Sequence, residues 1–225
     1  MVPPRSTGAS ETDPYTVRML EDEYERDRRR LPRHLRRRPE PEAAFAFSIR
    51  PAVRADIPDI REIYNYYVTN SVVTLDEKRW SHKRWSDKFD HLQKLGLPFL
   101  VAVSPNDQVL GYGMVGPWTG GSGVRYTVEN SIYLGQAATG KGLGRALLEA
   151  LIAACEAKGL REMVAVISDK GAEASVALHE KLGFVEVGRM GRVGYKFGRP
   201  LGTIYLQKSL SPRKQPSWWS RLINR

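Results

Sequence analysis

Residues 126–151, YTVENSIYLGQAATGKGLGRALLEAL, constrain this chain more than any other stretch. The first part alternates. Thr127, Glu129 and Ser131 fall on one side, with Val128, Ile132 and Leu134 among the apolar positions, the pattern of a strand partly covered by core. Gly140-Lys141-Gly142-Leu143-Gly144-Arg145 then packs three glycines into a turn. A helix is predicted directly after it, with Leu143, Ala146, Leu147, Ala150, Leu151 and Ala154 along one face. Strand, glycine turn and helix start aim several unpaired amides and the positive dipole end at one point, which suits a phosphate or pyrophosphate. A P-loop would need Lys-Ser or Lys-Thr after its second glycine, and Leu143 follows Gly142. A dinucleotide fold would carry its glycines in an early strand–helix unit, whereas this turn lies past the middle of the chain.

The 225 residues allow one sizeable core plus tails. No apolar run approaches the roughly 20 residues of a membrane span, so no membrane partner is expected. The opening MVPPRSTGAS has no apolar segment of the secretory kind, and Cys155 is the one cysteine. Both point to a reducing, cytoplasmic setting, with Cys155 a small apolar helix residue. The net charge of +10 raises the question of nucleic acid, and its distribution argues against a binding surface. Ten arginines face nine acids over residues 1–44, giving +1, while 45–210 carry +5 and 211–225 carry +4. Only Arg26 to Arg38 is dense, at +7, and no aromatic residue interleaves it for base stacking. Residues 1–44 therefore read as a charged, solvated extension, with a basic arm for an anionic partner as the alternative. Residues 45–210 form the domain, and 211–225 a basic tail holding Trp218 and Trp219.

Within the domain, Phe45, Phe47 and Ile49 alternate as a first strand ending at Pro51. Asp56 is expected to cap a helix carrying Ile57, Ile60, Ile63, Tyr64 and Tyr67 inward, and Ser81 a second with Trp85, Phe89 and Leu92 inward. Phe99–Val103 and Val109–Val115 read as a hairpin, followed by a loop with Pro117 and Trp118. After the central strand and its helix, Met163–Ile167 reads as a strand covered on both faces, and Ala172–Leu182 as a helix stopped by Gly183. Phe184–Arg189 and Thr203–Gln207 complete the sheet, joined by a glycine-rich connection, Met190–Gly202.

Thr139-Gly140-Lys141-Gly142-Leu143-Gly144 resembles the pyrophosphate arm of the GNAT acetyltransferase superfamily, Gln/Arg-x-x-Gly-x-Gly/Ala, with Thr139 in the first place. The order β-α-α-β-β-β-α-β-α-β-β is also similar to that fold: mixed α/β, about seven strands flanked by helices and splayed at the acetyl-CoA cleft. Phrases such as Thr127 to Leu134, Ser175 to Phe184 and Val193 to Arg199 resemble the subgroup holding phosphinothricin and methionine sulfone/sulfoximine acetyltransferases. The resemblance implies direct transfer of acetyl from acetyl-CoA to the primary amine of a small amino acid or analogue, without a metal. It implies Glu129 as general base, His179 in the position of the acid, and an oxyanion donor on the main chain near Tyr133 and Leu134. Ile132, Tyr133 and Leu134 would line the pantetheine, with Ser175 beside it, and Gly140, Lys141, Gly142, Leu143, Gly144 and Arg145 would hold the phosphates. Leu75, Trp118 and Arg125 are the implied acceptor contacts, Arg125 being the only cation in the Thr119–Arg125 loop. Where relatives show Arg-Trp-x-Asp, this chain has Arg199-Pro200-Leu201-Gly202, which would widen the pocket. A homodimer is implied as well. A protein N-acetyltransferase and a non-catalytic acyl-CoA-binding module are the alternatives.

Overall fold

The computed structural model describes residues 45–210, so the charged arm and the Trp218–Trp219 tail lie outside the described residues. Seven strands form one sheet in the order β1-β2-β3-β4-β5-β7-β6. They are β1 (Ser48–Pro51), β2 (Phe99–Val103), β3 (Val109–Pro117), β4 (Thr127–Leu134), β5 (Glu162–Ser168), β6 (Val185–Lys196) and β7 (Arg199–Ser209). The helices are α1 (Ile57–Asn70), α2 (His82–Lys94), α3 (Leu143–Ala157) and α4 (Glu173–Lys181). All neighbours pair antiparallel except β4 and β5, which run parallel.

The period-two alternation of β2 divides the core between the two faces. Phe99, Val101 and Val103 pack with Ile57, Ile60 and Tyr64 of α1 and Trp85, Phe89 and Leu92 of α2. Leu100 and Ala102 turn the other way, onto Leu143 and Leu147 of α3, where Phe45, Phe47 and Ile49 also pack. Leu147, Leu148 and Leu151 are fully buried, so α3 is fixed along its length and its first turn is held in place. Cys155 is buried on that helix, and burial pushes its thiol up to about 12, an unreactive small apolar residue. No described helix is long and apolar enough to cross a membrane.

Helix ends follow the sequence at Ser81, whose hydroxyl accepts from the Arg84 amide at 3.1 Å. Asp56 differs from expectation. Its backbone is already helical (φ −79°, ψ −13°), and its carboxylate turns back to the Val53 amide at 2.8 Å and to Arg50 at 2.8 and 2.9 Å. It ties β1 to the short 3-10 turn that precedes α1 and does not cap α1. The Met190–Gly202 connection also differs. β6 continues to Lys196 and β7 begins at Arg199, turning at Phe197 (φ 50°) and Gly198 (φ 73°). Two successive left-handed residues make the tight turn that matches strand twist, so the glycines sit inside a paired hairpin.

Candidate active site

Parity along β4 sets the site. Gly135 donates to Leu110 and Trp118 to Thr127, so the odd-numbered residues of β4 turn their main chain toward β3. Even-numbered Val128 and Asn130 then face β5, but that pairing stops at Asn130↔Ala165. β4 runs on to Leu134 and β5 to Ser168 without pairing, and the two strands part. Ile132 and Leu134 accordingly direct main-chain groups into the gap, whereas the Tyr133 amide belongs to the β3 ladder. Tyr67 Oη donates to the Leu134 carbonyl at 2.7 Å, leaving the Leu134 amide for a ligand.

At the far end of β4 a 3-10 turn, Gln136–Ala138, leads into the glycine turn. Gly142 immediately precedes α3 with φ 80°, a left-handed conformation that glycine reaches without strain. Ala146 is bonded to the Gly142 carbonyl as the first turn closes. The Leu143, Gly144 and Arg145 amides precede that ladder and point out of the helix end. Cβ atoms placed on Gly140 and Gly142 would meet nothing within 4 Å, so a bulky anion can approach the backbone. Lys141 lies over the Phe45 ring at 4.4 Å, and Arg145 is paired with Glu149 at 2.8 Å.

The side chains of Glu129, Ser131 and Tyr133 share the other face of the strand. They line a cavity of about 290 Å³ with Tyr64, Thr74, Trp80, Trp85, Lys88 and Met114, closed by Leu75, Val166, Ser168 and Thr203. That is the scale of a small amino acid. Glu129 is half-buried, and burial raises its carboxyl above the ordinary value of 4.5 while the Lys88 charge pulls it down. Burial pushes the Tyr133 phenol up to about 12, so it stays a neutral hydrogen-bonding wall.

A smaller hollow of about 70 Å³ lies in the gap itself, between Asn130–Tyr133 and Ala165–Ile167, with Ser175 and His179 from α4. His179 is buried. Its Nδ1 donates to the Ser175 carbonyl at 2.7 Å, and its Nε2 stands 3.1 Å from the Asn130 side-chain oxygen. Burial lowers its pKa. The Nδ1 contact lies within α4 and the Nε2 contact crosses to β4, so the ring is fixed between the two elements; with Nδ1–H given to Ser175, a neutral ring has no second proton to present to the gap.

Of the acceptor residues expected from sequence, Leu75 reaches the Glu129 cavity and two do not. Trp118 and Arg125 line a separate surface hollow with Leu95, Leu97 and Gly120. Pro117, the last residue of β3, lines that hollow too, and Arg125 stacks on Tyr126 at 4.6 Å while donating to the Ser122 carbonyl. The cation in the cavity wall comes from α2 instead, as Lys88. Tyr64, Thr74, Trp80, Trp85 and Lys88 were missed as site residues. The helical spacing of Tyr64 and Trp85 signals a core face, Thr74 and Trp80 lie in the connection between α1 and α2, and nothing local says that any of them meets Glu129. Gly202 does not open the pocket as expected, because Asp169 fills the space. A Cβ at Gly202 would come within 2.6 Å of the Asp169 carboxylate, which accepts the Gly202 amide at 2.8 Å.

Strands that part beside an anion-binding turn offer a slot to an activated acyl donor, and the carboxylate cavity at its mouth offers a base to an acceptor. This is the layout of an acyltransferase. A family model described as the acetyltransferase (GNAT) family matches residues 60–184, and the chain belongs to that family. The L-methionine sulfoximine/L-methionine sulfone acetyltransferase of Pseudomonas paraeruginosa is 42% identical over 167 residues, covering 74% of this chain and 96% of that protein. An acetyltransferase from Salmonella typhimurium, solved with its cofactor acetyl-CoA, superimposes with a TM-score of 0.72 at 38% identity, covering 76% of this chain and 98% of that one. A phosphinothricin acetyltransferase from Sinorhizobium meliloti, solved with acetyl-CoA, gives 0.70 at 40% identity, covering 73% and 89%.

Proposed function

We propose that this acetyltransferase moves the acetyl group of acetyl-CoA directly to the primary amine of a small amino acid or analogue, of the methionine sulfone or phosphinothricin kind. The observation that carries the proposal is a half-buried carboxylate, Glu129, in an amino-acid-sized cavity that shares Ser131, Tyr133 and Val166 with the strand gap. Acetyl-CoA supplies an acyl group activated as a thioester. The amides of Leu143, Gly144 and Arg145 with the open Gly140–Gly142 turn suit its pyrophosphate, and the main chain of Ile132 and Leu134 suits its pantetheine. The names of the solved relatives support the same coenzyme.

Transfer to an amine requires the neutral nitrogen, and Glu129 takes the proton, directly or through water. Its raised pKa brings the base closer to the amine it serves. As the N–C bond forms and the C–S bond breaks, the Leu134 amide donates to the carbonyl oxygen, which gains charge. His179, its Nδ1–H given to the Ser175 carbonyl, holds the floor of the gap beside Asn130 in this scheme, and the departing thiolate takes up the proton that the nitrogen sheds as the amide forms. Met114 and the Tyr64, Trp80, Trp85 and Tyr133 rings suit a soft, uncharged side chain.

We also propose a homodimer, supported by the outer strand β6, where Val185, Val187, Met190, Val193 and Tyr195 are exposed. The test of the activity is acetyl-CoA-dependent thiol release across amino acids, methionine sulfone, methionine sulfoximine and phosphinothricin. Turnover of at least one is expected, and tight acetyl-CoA binding without turnover of any would make the chain a binding module.

A further inference from the structure

The Glu129 cavity holds polar groups that a purely apolar side chain would leave unanswered. Lys88 is half-buried in its wall, and a Cβ on Gly116 would lie 3.5 Å from its Nζ. Lys88 makes no ion pair among the described residues. Two residues of the same wall also carry an unpaired polar atom behind the lining. Trp85 Nε1 and Thr203 Oγ1 are buried without a hydrogen-bond partner, in residues only 1% and 6% exposed. The other cations nearby are committed elsewhere: Arg84 stacks on Trp80 at 3.8 Å, and Lys196 donates to the Thr74 carbonyl at 2.8 Å.

An ammonium without an ion-pair partner among the described residues, in the wall of a cavity that also holds a carboxylate, selects an acceptor carrying an acid group close to its amine. We propose that Lys88 is a specificity-determining residue that binds the α-carboxylate of the acceptor while Glu129 receives its amine. The inference rests on the amino-acid acetylation proposed above. It adds that the cation expected in the Thr119–Arg125 loop is supplied in this chain by α2.

The test compares methionine sulfone with its decarboxylated amine, 3-(methylsulfonyl)propylamine, in the wild type, Lys88→Met and Lys88→Arg. Turnover of neither compound nor any amino acid by the wild type would sink the amino-acid reading itself. Given wild-type turnover, Lys88→Met should raise KM for methionine sulfone about ten- to a hundredfold, the range of a charge-assisted hydrogen bond. KM for the decarboxylated amine and for acetyl-CoA should stay within about twofold, and Lys88→Arg should recover part of the loss. Equal losses on both acceptors would overturn the proposal, since Lys88 would then act only through the field it exerts on Glu129. Unchanged KM for methionine sulfone in Lys88→Met would overturn it too. The acetyl-CoA KM reports whether each variant is folded.

Discussion

The glycine turn and the Glu129 cavity lie at opposite ends of β4 and are built in opposite ways. The turn is made of backbone: a left-handed Gly142, open space at Gly140, and the amides that start α3. Its side chains stand aside, Arg145 on Glu149 and Lys141 on Phe45. The cavity is made of side chains drawn from α1, α2, β3, β4, β5, β7 and the loop around Thr74. A backbone site tolerates changes of side chain and fails when a φ angle is lost. A side-chain site does the reverse. Thr139 in place of a family Gln or Arg is thus a small change, since its hydroxyl is spent on the Gln136 carbonyl at 2.9 Å and the amides remain.

The sharpest contrast comes from Glu129→Gln, which keeps the shape of the cavity and removes the base proposed for it. A fall in kcat of about 10²–10⁴-fold is expected, with the KM for acetyl-CoA little changed. Gly142→Val strikes the other site. A branched side chain at φ 80° is strained by about 1–3 kcal/mol, and steady-state kinetics should show the acetyl-CoA KM rising about tenfold or more while the amine KM holds. Lys141→Ala together with Arg145→Ala should cost less than Gly142→Val; a larger loss would mean that charge and not backbone holds the phosphates.

Two smaller effects concern stability. Asp56→Asn removes a carboxylate bonded to Arg50 and the Val53 amide, and denaturant melts should show a loss of about 1–3 kcal/mol at pH 7. Burial raises the pKa of Asp56, but Arg50 and the Val53 amide outweigh it and leave the carboxyl below its ordinary value. That contribution is therefore present above the unfolded pKa and lost as pH falls through the folded one. Glu129 has the opposite sign. Its folded pKa is raised, so the fold is favoured at low pH and loses that advantage as pH rises through the folded value. Glu129→Gln should accordingly melt no lower than wild type at pH 7, and slightly higher if burial of the charge is the cause.

What sequence shows of such a molecule follows the same division. The element order, the Ser81 cap and the glycine turn were legible because each is a local pattern. The extension of the β6–β7 hairpin beyond Arg189 was not, because Gly191 and Gly194 read as a loop until pairing of Gly194 to Lys196 with β7 carries the strand past them. Glu129 was singled out through its flanking phrase on β4, and the structure puts it in the wall of a cavity. Lys88 and the Trp85 wall were not singled out, since a cation and an aromatic three residues apart on a helix carry no mark of the strand they will face. Trp118 and Arg125, implied by the resemblance, stand close in sequence to the central strand and still line a hollow separate from its cavity.

Central to all of this is Glu129 as the proton acceptor, and the pH dependence of kcat/KM in wild type and Glu129→Gln tests it most directly. The wild type should lose activity on acidification through a limb lying above the ordinary carboxylate value of 4.5, and Glu129→Gln should lack that limb along with most of its activity. A variant that kept both the limb and near-wild-type turnover would contradict the account.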